Sequence, residues 1–582
     1  MSQPSKFLSE VSQPAKSFRV VMLAIAVFAL AFATAIRANA QPLTVIHIFD
    51  SEDACDTNGP VEPGTPVFSG ILAQGRDGNI YGTTAAGGAC GYGEGTVYQM
   101  TASGNVTVLH SFGFVGTEGA AADGGVTLAS DGNLYGTTKA GGAHSLGTIF
   151  MITVPGGTLT YLHHFAGTDG AYPTAPPIQG SDGYFYGTTS QGGTAGPGAV
   201  YKMAPKSPWT VTTYSLPAYS YPSAPLLQAV DGNFYGTTSG GGSHGFGTVF
   251  RITNKGKLKT IYDFDNVTGA SPNAPLIQGS NGNFFGTTSS GGDLTACSGN
   301  GCGVIFELTP AGKITLLHSF NGTDGSDSLG GLLEATDGSF YGVTSAQGIS
   351  DGNLYQLKPQ GKKFIFSVQF PFDRLTSGRF PQLTLLQHTS GLVYGDTWEG
   401  GTLTEESGGS FTGTGTFYSF FEPGMTPFAG LVTATGKVGD SVDILGQGFT
   451  GTTNVSFGGT SATYTVVSDT YLYAGVPAGT TGLVSVATPS GTLNSNKPYR
   501  VTPVVKSFKP SSGPVGTSVA ITGTGLINTT KVTFGGVVAT TVTVNSDTQV
   551  TATVPTGAKS GRIAITTPGG NAMSATSFTV TP

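Results

Sequence analysis

Short runs of alternating apolar and polar residues, separated by glycine-rich turns, fill the chain up to about residue 420. The clearest unit is Asp-Gly-Asn-Phe-Tyr-Gly-Thr-Thr at 231–238, and close copies of it recur at intervals of about 50 residues. The copies begin at Asp77, Asp131, Asp182, Asp231, Asn281, Asp337 and Ser390. A repeat of this length predicts either propeller blades or a solenoid.

Each repeat is predicted to contain four antiparallel strands. In the fourth copy, residues 225–228 and 234–238 are short apolar runs. The Asp231-Gly232 dipeptide between them predicts a tight hairpin turn with positive φ at both residues. After a glycine-rich loop, a third strand is predicted at 247–252 and a fourth at 258–264.

The seventh repeat lacks its fourth strand, because the pattern ends at Phe421. Residues 43–49, Leu-Thr-Val-Ile-His-Ile-Phe, match the fourth strand at 314–320, Ile-Thr-Leu-Leu-His-Ser-Phe. An N-terminal strand that completes the last blade would close a ring and remove two exposed sheet edges, whereas a solenoid gains nothing from this offset. We therefore predict an all-β fold with a seven-bladed β-propeller closed by the N-terminal strand.

A shorter unit occurs twice near the C-terminus. Val-Gly-Asp-Ser-Val at 438–442 corresponds to Val-Gly-Thr-Ser-Val at 515–519. Alternating Thr and Val with frequent turns predicts two Ig-like β-sandwiches. The predicted domains are a signal peptide at 1–40, the propeller at 41–425, and Ig-like domains at 426–501 and 502–582. The link at 421–428 contains two prolines and one glycine and predicts a short, semi-rigid hinge.

The first 40 residues have the pattern of a secretory signal peptide. Lys6, Lys16 and Arg19 precede an apolar run at 20–35, and Ala-Asn-Ala at 38–40 supplies a cleavage site. A membrane anchor is the alternative, but this run is shorter than the roughly 20 residues that span a bilayer. We predict cleavage after Ala40, no transmembrane segment afterwards, and a secreted or cell-surface location.

Composition narrows the classes of partner. Glycine accounts for 92 of 582 residues, and charged residues are 10%, against about 25% in typical domains. The formal net charge is −7, with no basic stripe along the chain. We therefore expect no nucleic-acid partner. We also expect that the protein binds no cofactor and that it is a monomer.

The four cysteines predict disulfides, as exported proteins commonly contain. In the blade pattern Cys55 and Cys90 share one face and can pair, and Cys297 and Cys302 flank four residues within one loop. A zinc site is the alternative, but the closely spaced histidines or second cysteine pairs of structural zinc sites are missing. No metal site is predicted.

In an up-and-down blade, the loops from strand 2 to strand 3 and the connections from strand 4 to the next strand 1 lie on one face. We interpret this face as the candidate ligand face. Its candidate residues are His144, His244, Glu118, Asp169, Asp265, Asp324, Tyr92, Tyr172 and Tyr221. For each acidic residue or histidine taken singly, a solvated loop residue or a turn former is the simpler interpretation.

Other polar residues recur where the repeat itself explains them. His47, His110, His163, His164 and His318 lie in or near the fourth strands. This recurrence indicates packing or a repeated side-chain hydrogen bond rather than catalysis. The aspartate of the repeated turn is explained by turn chemistry. Neither a Gly-x-Ser-x-Gly elbow nor a His-Glu-x-x-His motif occurs, and no catalytic residue is predicted.

The repeats resemble the tandem-repeat proteins called choice-of-anchor, GloVer-containing. The resemblance covers residues 43–421 and depends on Tyr-Gly-Thr-Thr at 81–84, 135–138, 186–189 and 235–238, with Gly-Thr-Val-Phe-like third strands. It implies an exported surface protein without an established catalytic activity. The two C-terminal units resemble IPT/TIG domains, and the second contains Ser-Phe-Lys-Pro at 507–510. That resemblance implies spacer or adhesive modules.

Three functions are compatible with these features. The first is an exported binding or surface-structural protein that recognises extracellular polysaccharide, another surface polymer or a surface protein. Its hydroxyl-rich, low-charge face would hydrogen-bond to sugars, and its tyrosines would stack on them. The second is a polysaccharide lyase or glycoside hydrolase that uses His144, His244 and nearby carboxylates. The third is a purely structural surface protein.

Overall fold

The structure is a computed structural model that describes residues 43–49, 70–88, 94–113, 116–194, 196–345, 351–401, 415–479 and 481–582. The predicted signal peptide, Cys55, Cys90 and Tyr92 lie outside these residues. Apart from one turn of 3-10 helix at Cys297–Gly299, the regular structure in the described ranges is β. The all-β prediction is confirmed. In the same ranges, no helix is long and apolar enough to cross a membrane.

Seven four-stranded antiparallel sheets, numbered 1 to 7 in chain order, account for the repeats. The strands of each sheet are lettered A to D in the order in which they pair. Sheet 1 contains Ala73–Gln74, Ile80–Thr84, Thr96–Met100 and Val106–Ser111. Sheet 2 contains Val126–Leu128, Leu134–Thr138, Thr148–Ile152 and Leu159–His164. Sheet 3 contains Ile178–Gln179, Phe185–Thr189, Ala199–Met203 and Val211–Ser215.

The remaining sheets follow the same plan. Sheet 4 contains Leu227–Gln228, Phe234–Thr238, Thr248–Ile252 and Leu258–Asp263. Sheet 5 contains Ile277–Gln278, Phe284–Thr287, Val304–Leu308 and Ile314–Ser319. Sheet 6 contains Leu333–Glu334, Phe340–Thr344, Asn353–Gln360 and Lys363–Pro371. Sheet 7 contains Leu386–Gln387, Val393–Thr397, Thr416–Phe420 and Leu43–Ile48. A short pair, Gly119–Ala120 with Ala140–Gly141, joins two loops of sheet 2.

Strand D of sheet 7 comes from the N-terminal part of the described chain. Leu43 pairs with Phe420 and Ile48 with Thr416 in an antiparallel ladder. This ladder covers the free edge of the last C strand, which would otherwise expose unpaired backbone groups. Leu43 and Phe49 are buried there.

The turn between strands A and B differs from the sequence expectation. In sheet 4, Ala229 N donates to Asn233 O at 2.9 Å and Gly232 N donates to Ala229 O at 2.9 Å. Only Gly232, at φ 78°, has a positive φ, so the prediction of positive φ at both Asp231 and Gly232 is wrong. The connection has three residues, and its last one is a left-handed glycine, the usual arrangement for this loop length.

The side chain of the turn aspartate stabilises the hairpin by accepting two hydrogen bonds. Asp231 Oδ1 accepts a hydrogen bond from Asn233 N at 3.0 Å, and Oδ2 accepts one from the Tyr235 hydroxyl at 2.9 Å. The turn-forming role predicted for this aspartate is confirmed. The tyrosine partner explains why Tyr follows four residues later in most copies.

Aromatic residues on the B strands pack one sheet against the next. Tyr186 stacks on Phe234 with ring centroids 3.8 Å apart, which joins sheets 3 and 4. The glycine of the Tyr-Gly-Thr-Thr unit makes room for a further ring, since a Cβ on Gly236 would lie 2.6 Å from Phe250. A larger residue there would push the ring out of the close-packed space between sheets.

A glutamine at the end of strand A links most sheets to the preceding one. Its Oε1 accepts a backbone N–H of the neighbouring AB turn at 2.8 to 3.0 Å. The acceptor and donor pairs are Gln179 with Ser130, Gln228 with Ser181, Gln278 with Val230, Gln387 with Thr336, and Gln74 with Thr389. Glu334 accepts from Ser280 in the same way, at 3.3 Å. The bond between Gln74 and Thr389 joins sheet 1 to sheet 7.

Sheet 2 departs from this pattern, because Leu128 occupies the glutamine position. The junction between sheets 1 and 2 is bridged from the other side by Arg76, whose Nη2 donates to Ser130 O at 2.9 Å. A backbone hydrogen bond from Val126 N to Ile71 O, at 3.3 Å, also joins the two sheets.

The C-terminal region folds into two sandwiches with separate cores. In the first Ig-like domain, one sheet contains Gly430–Leu431, Ser441–Leu445, Tyr471–Gly475 and Tyr464–Val466. The other sheet contains Thr460–Ser461, Asn454–Phe457, Val484–Thr488 and Gly491–Asn494. Thr435–Gly436 pairs in parallel with Arg500–Val501. In the second Ig-like domain, one sheet contains Val504–Lys509, Ser518–Thr524, Gln549–Thr553 and Val542–Ser546. The other sheet contains Ser512–Gly513, Gly570–Val580, Gly561–Thr567, Lys531–Phe534 and Val537–Val538.

The first Ig-like domain packs on the AB turns of sheets 1 and 7. Thr470 Oγ1 donates to Arg76 O at 2.8 Å, and Gln447 Nε2 donates to Thr389 Oγ1 at 3.1 Å. The link that was expected to be a hinge is itself packed, with Met425 and Phe428 buried.

Candidate ligand-binding face

The BC loops and DA connections of the sheets lie at the end opposite the AB turns. We call this end the long-loop face and the other the AB-turn face. Since the first Ig-like domain contacts AB turns, through Arg76 and Thr389, it leaves the long-loop face uncovered. The candidate residues of the described chain are therefore discussed on this face.

A left-handed residue occupies the same point of each described DA connection, ten residues before the start of the repeated turn. The six residues are Ala121, Tyr172, Tyr221, Ser271, Asp327 and Phe380, with φ between 46° and 59°. Positive φ costs a non-glycine residue about 1 kcal/mol or more. None of these side chains is buried.

Hydrogen bonds to the backbone N–H and C=O of this residue hold the position, and in sheet 4 Ser239 Oγ also donates to Tyr221 O at 3.0 Å. Tyr221 N donates to Pro197 O at 3.2 Å, and Tyr221 O accepts from Ser239 N at 3.3 Å. Tyr172 repeats the pattern, with its N donating to Leu146 O at 2.9 Å. Because these bonds use the backbone atoms of the left-handed residue and not its side chain, that side chain is free to differ from sheet to sheet, and it does.

Sheet 4 presents three exposed aromatic side chains on this face. The relative exposure is 71% for Tyr219, 43% for Tyr221 and 37% for Phe246. Tyr219 and Tyr221 lie in the DA connection that enters the sheet, and Phe246 lies in its BC loop. The two segments are joined by a bond from Gly240 N to Ser220 O at 3.2 Å. Exposed rings with a polar hydroxyl suit a ligand that both stacks and hydrogen-bonds.

Asp169 and Asp324 stabilise the DA connections in which they lie by accepting hydrogen bonds. Asp169 accepts hydrogen bonds from His163 Nε2 and Ala166 N, both at 2.8 Å. Asp324 accepts from His318 Nε2 and Asn321 N, both at 2.9 Å. Burial alone would raise the pKa of Asp324, but these donors outweigh it and hold the pKa below its usual value. The repeated side-chain hydrogen bond predicted for the strand histidines is confirmed for these two.

The histidines of the D strands also pack on a neighbouring ring, as predicted. The ring centroid of His163 lies 4.9 Å from that of Phe165 in an edge contact, and His318 lies 5.1 Å from Phe320. His47 and His110 make the same contact with Phe49 and Phe112. Burial lowers the pKa of both His47 and His110.

The other two acidic candidates also have local roles. Asp265 Oδ1 accepts from Thr268 N at 2.8 Å and from Thr268 Oγ1 at 2.6 Å, and these bonds lower its pKa. Glu118 accepts Gly142 N through its backbone oxygen at 2.6 Å. Its carboxylate opposes the lowering of the His110 pKa by burial.

His144 and His244 have different surroundings. His144 is exposed and lies near His164, whose pKa it helps to lower after the larger effect of burial. His244 Nδ1 lies 3.9 Å from Asp263 Oδ1 and 3.3 Å from Ser243 Oγ. The hydrogen bonds and ion pairs of the described residues do not connect the two histidines.

The local disulfide is present between Cys297 and Cys302, with Cα atoms 5.4 Å apart. It closes the BC loop of sheet 5, and Gly322 of the following DA connection lies against its sulfur atoms. Across the described ranges no group of three or more His, Cys, Asp or Glu side chains is arranged to hold a metal ion.

Sequence reasoning missed the left-handed position as a class, although it named Tyr172 and Tyr221. A usable signal was present, because all six residues precede the repeated turn by ten positions and four of them precede a proline. The glutamine links also left a signal, since Gln stands three residues before the turn in five copies.

Comparison with known families matches both parts of the chain. The family described as "Gloeobacter/Verrucomicrobia repeat" matches residues 66–299 and 175–411. The IPT/TIG domain matches residues 428–499 and 503–581. No curated protein matches the chain.

Solved structures resemble parts of the chain at low identity. The virginiamycin B lyase from Staphylococcus aureus is 11% identical, with a TM-score of 0.41, over 65% of this chain and 99% of that one. A surface glycan-binding protein from Prevotella bryantii is 17% identical, with a TM-score of 0.21, over 25% of this chain and 38% of that one. A protein from a xyloglucan utilization locus in Bacteroides uniformis is 23% identical, with a TM-score of 0.14, over 26% and 50%.

Proposed function

Because this chain belongs to the Gloeobacter/Verrucomicrobia repeat family and ends in two IPT/TIG domains, we propose that it is an exported surface protein that binds extracellular polysaccharide. In this proposal residues 1–40 are removed on export, and residues 41–425 form a closed seven-bladed propeller. The long-loop face is the binding surface, and the domains at 426–501 and 502–582 hold it away from the site of attachment.

The observation that carries the proposal is the row of left-handed residues on the DA connections. A glycine would occupy the same backbone position without strain. A chain that keeps tyrosine, phenylalanine, serine or aspartate at five of these six positions, at a cost of about 1 kcal/mol or more each, has a use for those side chains. A fixed backbone frame with variable side chains is the arrangement expected of a recognition surface.

The exposed tyrosines of sheet 4 indicate the class of ligand. Tyr219 and Tyr221 offer flat apolar faces with hydroxyl groups at their edges, which match the apolar faces and hydroxyl rims of sugar rings. The acidic candidates on the same face, Glu118, Asp169, Asp265 and Asp324, disfavour a strongly anionic ligand. The ligand is therefore a neutral or weakly charged polysaccharide.

Closure of the propeller is supported by two sets of contacts. The ladder between Leu43–Ile48 and Thr416–Phe420 supplies the last strand. The hydrogen bond between Gln74 and Thr389 joins the first and last sheets by the same link that joins their neighbours. A closed ring has no long unpaired edge through which exported copies could aggregate.

The test uses the full exported chain and a panel of neutral and acidic polysaccharides, with released oligosaccharides measured in the same wells. We expect binding by the natural chain and a loss of about tenfold or more in affinity for the Tyr219→Ala/Tyr221→Ala double variant. Tyr184→Ala is the matched control, because Tyr184 is a 38% exposed tyrosine on the AB-turn face.

Three outcomes would overturn the proposal. Equal loss in the Tyr184→Ala variant would show that binding does not use the long-loop face. Release of oligosaccharides, abolished by His244→Ala, would instead identify a lyase or hydrolase. Absence of binding to every polysaccharide would leave a structural role or a protein partner.

A further inference from the structure

A cavity of about 350 Å³ lies where the first Ig-like domain meets the A strands of sheets 1, 2 and 7. Its volume is within the range of small-molecule sites. It lies on the AB-turn side of the repeats, so it is separate from the long-loop face. Its polar lining includes Gln74, Thr127, Gln387, Thr389, Asn496 and Lys497.

Lys497 brings a single cation to this cavity. It lies in the segment between the last two strands of the first Ig-like domain, where Ser495 Oγ donates to Lys497 O at 2.6 Å and fixes the backbone. Its side chain is exposed to solvent and borders the cavity, with protein atoms close to the ammonium group. Partial desolvation by these atoms lowers the pKa of the ammonium group, Glu334 opposes this effect and Arg500 adds to it.

The ammonium group is not neutralised by a close carboxylate. No ion pair within 4 Å involves Lys497 among the residues that the structure describes. Glu334 acts on it only from a greater distance and accepts the backbone N–H of Ser280 with one of its oxygens. A cation held in such a place favours an anion that can reach it.

Most of the other lining residues of the cavity are apolar. Leu128, Leu386, Leu431 and Leu445 line the cavity together with Phe428. Leu128 is the residue that stands where other sheets carry the linking glutamine, so this junction lacks a side-chain amide and gains an apolar wall. The amides of Gln74 and Gln387 are already bonded to Thr389 and Thr336.

We propose that this cavity binds a small organic monocarboxylate, with the Lys497 ammonium as its counter-ion and the leucine walls around its apolar part. One positive charge matches one carboxylate, whereas a dianion would keep an uncompensated charge in a largely apolar space. The bound molecule would contact both the repeat sheets and the first Ig-like domain. Its binding would therefore also stabilise the contact between them.

The test measures binding of hexanoate to the full chain by calorimetry, with hexan-1-ol and inorganic phosphate as probes of the apolar and charged parts alone. We expect hexanoate to bind more tightly than either probe. Lys497→Met should weaken hexanoate by about tenfold or more, and Lys497→Arg should retain most of the affinity. Lys506→Met, on an exposed lysine of the second Ig-like domain, is the matched control and should bind as the natural chain does.

A second variant changes an apolar wall of the cavity and leaves the charge of Lys497 in place. Leu128→Phe reduces the space and should weaken hexanoate while phosphate is unaffected. Circular dichroism and urea unfolding of each variant report whether it is folded. The proposal is overturned if hexanoate does not bind at roughly millimolar concentration, if Lys497→Met binds it unchanged, or if hexan-1-ol binds equally well.

Discussion

The guanidinium of Arg76 forms an ion pair with the carboxylate of Asp443, although the two residues are 367 positions apart and belong to different domains. Arg76 also lies over the ring of Tyr471, with its Cζ 4.7 Å from the centroid. The same side chain bridges sheets 1 and 2 through Ser130 O. Arg76 therefore joins the first Ig-like domain to the junction between sheets 1 and 2, which has no glutamine link.

Arg76→Ala is expected to loosen the contact between the repeats and the first Ig-like domain. Asp443, whose side chain is 10% exposed, would lose its cation, and a poorly solvated group without its partner costs about 1–3 kcal/mol. Limited proteolysis should then cut the link at 421–428 faster than in the natural chain. Arg379→Ala breaks a comparable pair with Glu399, between the DA connection and the BC loop of sheet 7, and should leave this cleavage rate unchanged. Equal rates for all three proteins would show that Arg76 does not hold the domain.

Removal of the N-terminal strand is expected to destabilise the repeats strongly. A chain that starts at residue 50 loses the buried side chains of Leu43 and Phe49, each worth about 1.5–3 kcal/mol. It also exposes the backbone edge of Thr416–Phe420, which promotes aggregation. Thermal unfolding and light scattering check both effects. A chain that ends at residue 501 lacks the separate core of the second Ig-like domain and should keep the melting temperature of the repeats.

The glutamine links are expected to contribute measurably to stability. Gln228→Leu removes the acceptor of Ser181 N and copies the natural residue of sheet 2, so the free energy of unfolding should fall by about 1–3 kcal/mol. Urea unfolding measures the change. Gln99→Leu, whose amide bonds to Asp77 in an exposed setting, should have a smaller effect. A loss no larger than that of the control would contradict a linking role.

His388 makes the stability of sheet 7 sensitive to mild acid. Its Nε2 donates to Gly78 O at 2.9 Å and its Nδ1 accepts from Ser390 N at 3.1 Å, so the neutral ring satisfies both partners. Burial lowers its pKa from the usual 6.5, although the Gly78 carbonyl opposes this shift. The unfolded chain then binds more protons than the folded one. Stability is present above the unfolded pKa and is lost as pH falls through the lower, folded pKa.

Urea unfolding between neutral pH and about pH 5 checks this dependence. The loss of stability on acidification should be smaller in His388→Asn, which can accept Ser390 N but cannot titrate. His47 and His110 also have pKa values lowered by burial and contribute to the total, so the difference between the two proteins is the decisive quantity. An identical pH dependence in both would assign the effect to other groups.

Local features were predictable because their causes are local. The strands around Asp231 follow from alternation and from the glycine that the turn requires. The bridge between Cys297 and Cys302 follows from two cysteines that flank four residues. The strand histidines were assigned to packing or to a repeated side-chain hydrogen bond, and His163 and His318, which recur at one position of the pattern, show both. The turn geometry was wrong because the dipeptide alone does not set the loop length.

The sequence by itself determined the repeat length, the all-β class and the family. These depend on periodicity and on residues that are neighbours in the chain. The tertiary structure decided which residues meet across 300 or more positions, such as Gln74 with Thr389 and Arg76 with Asp443. It also decided that Tyr172 and Tyr221 are left-handed, because the carbonyls and N–H groups that hold that conformation come from other loops of the folded chain.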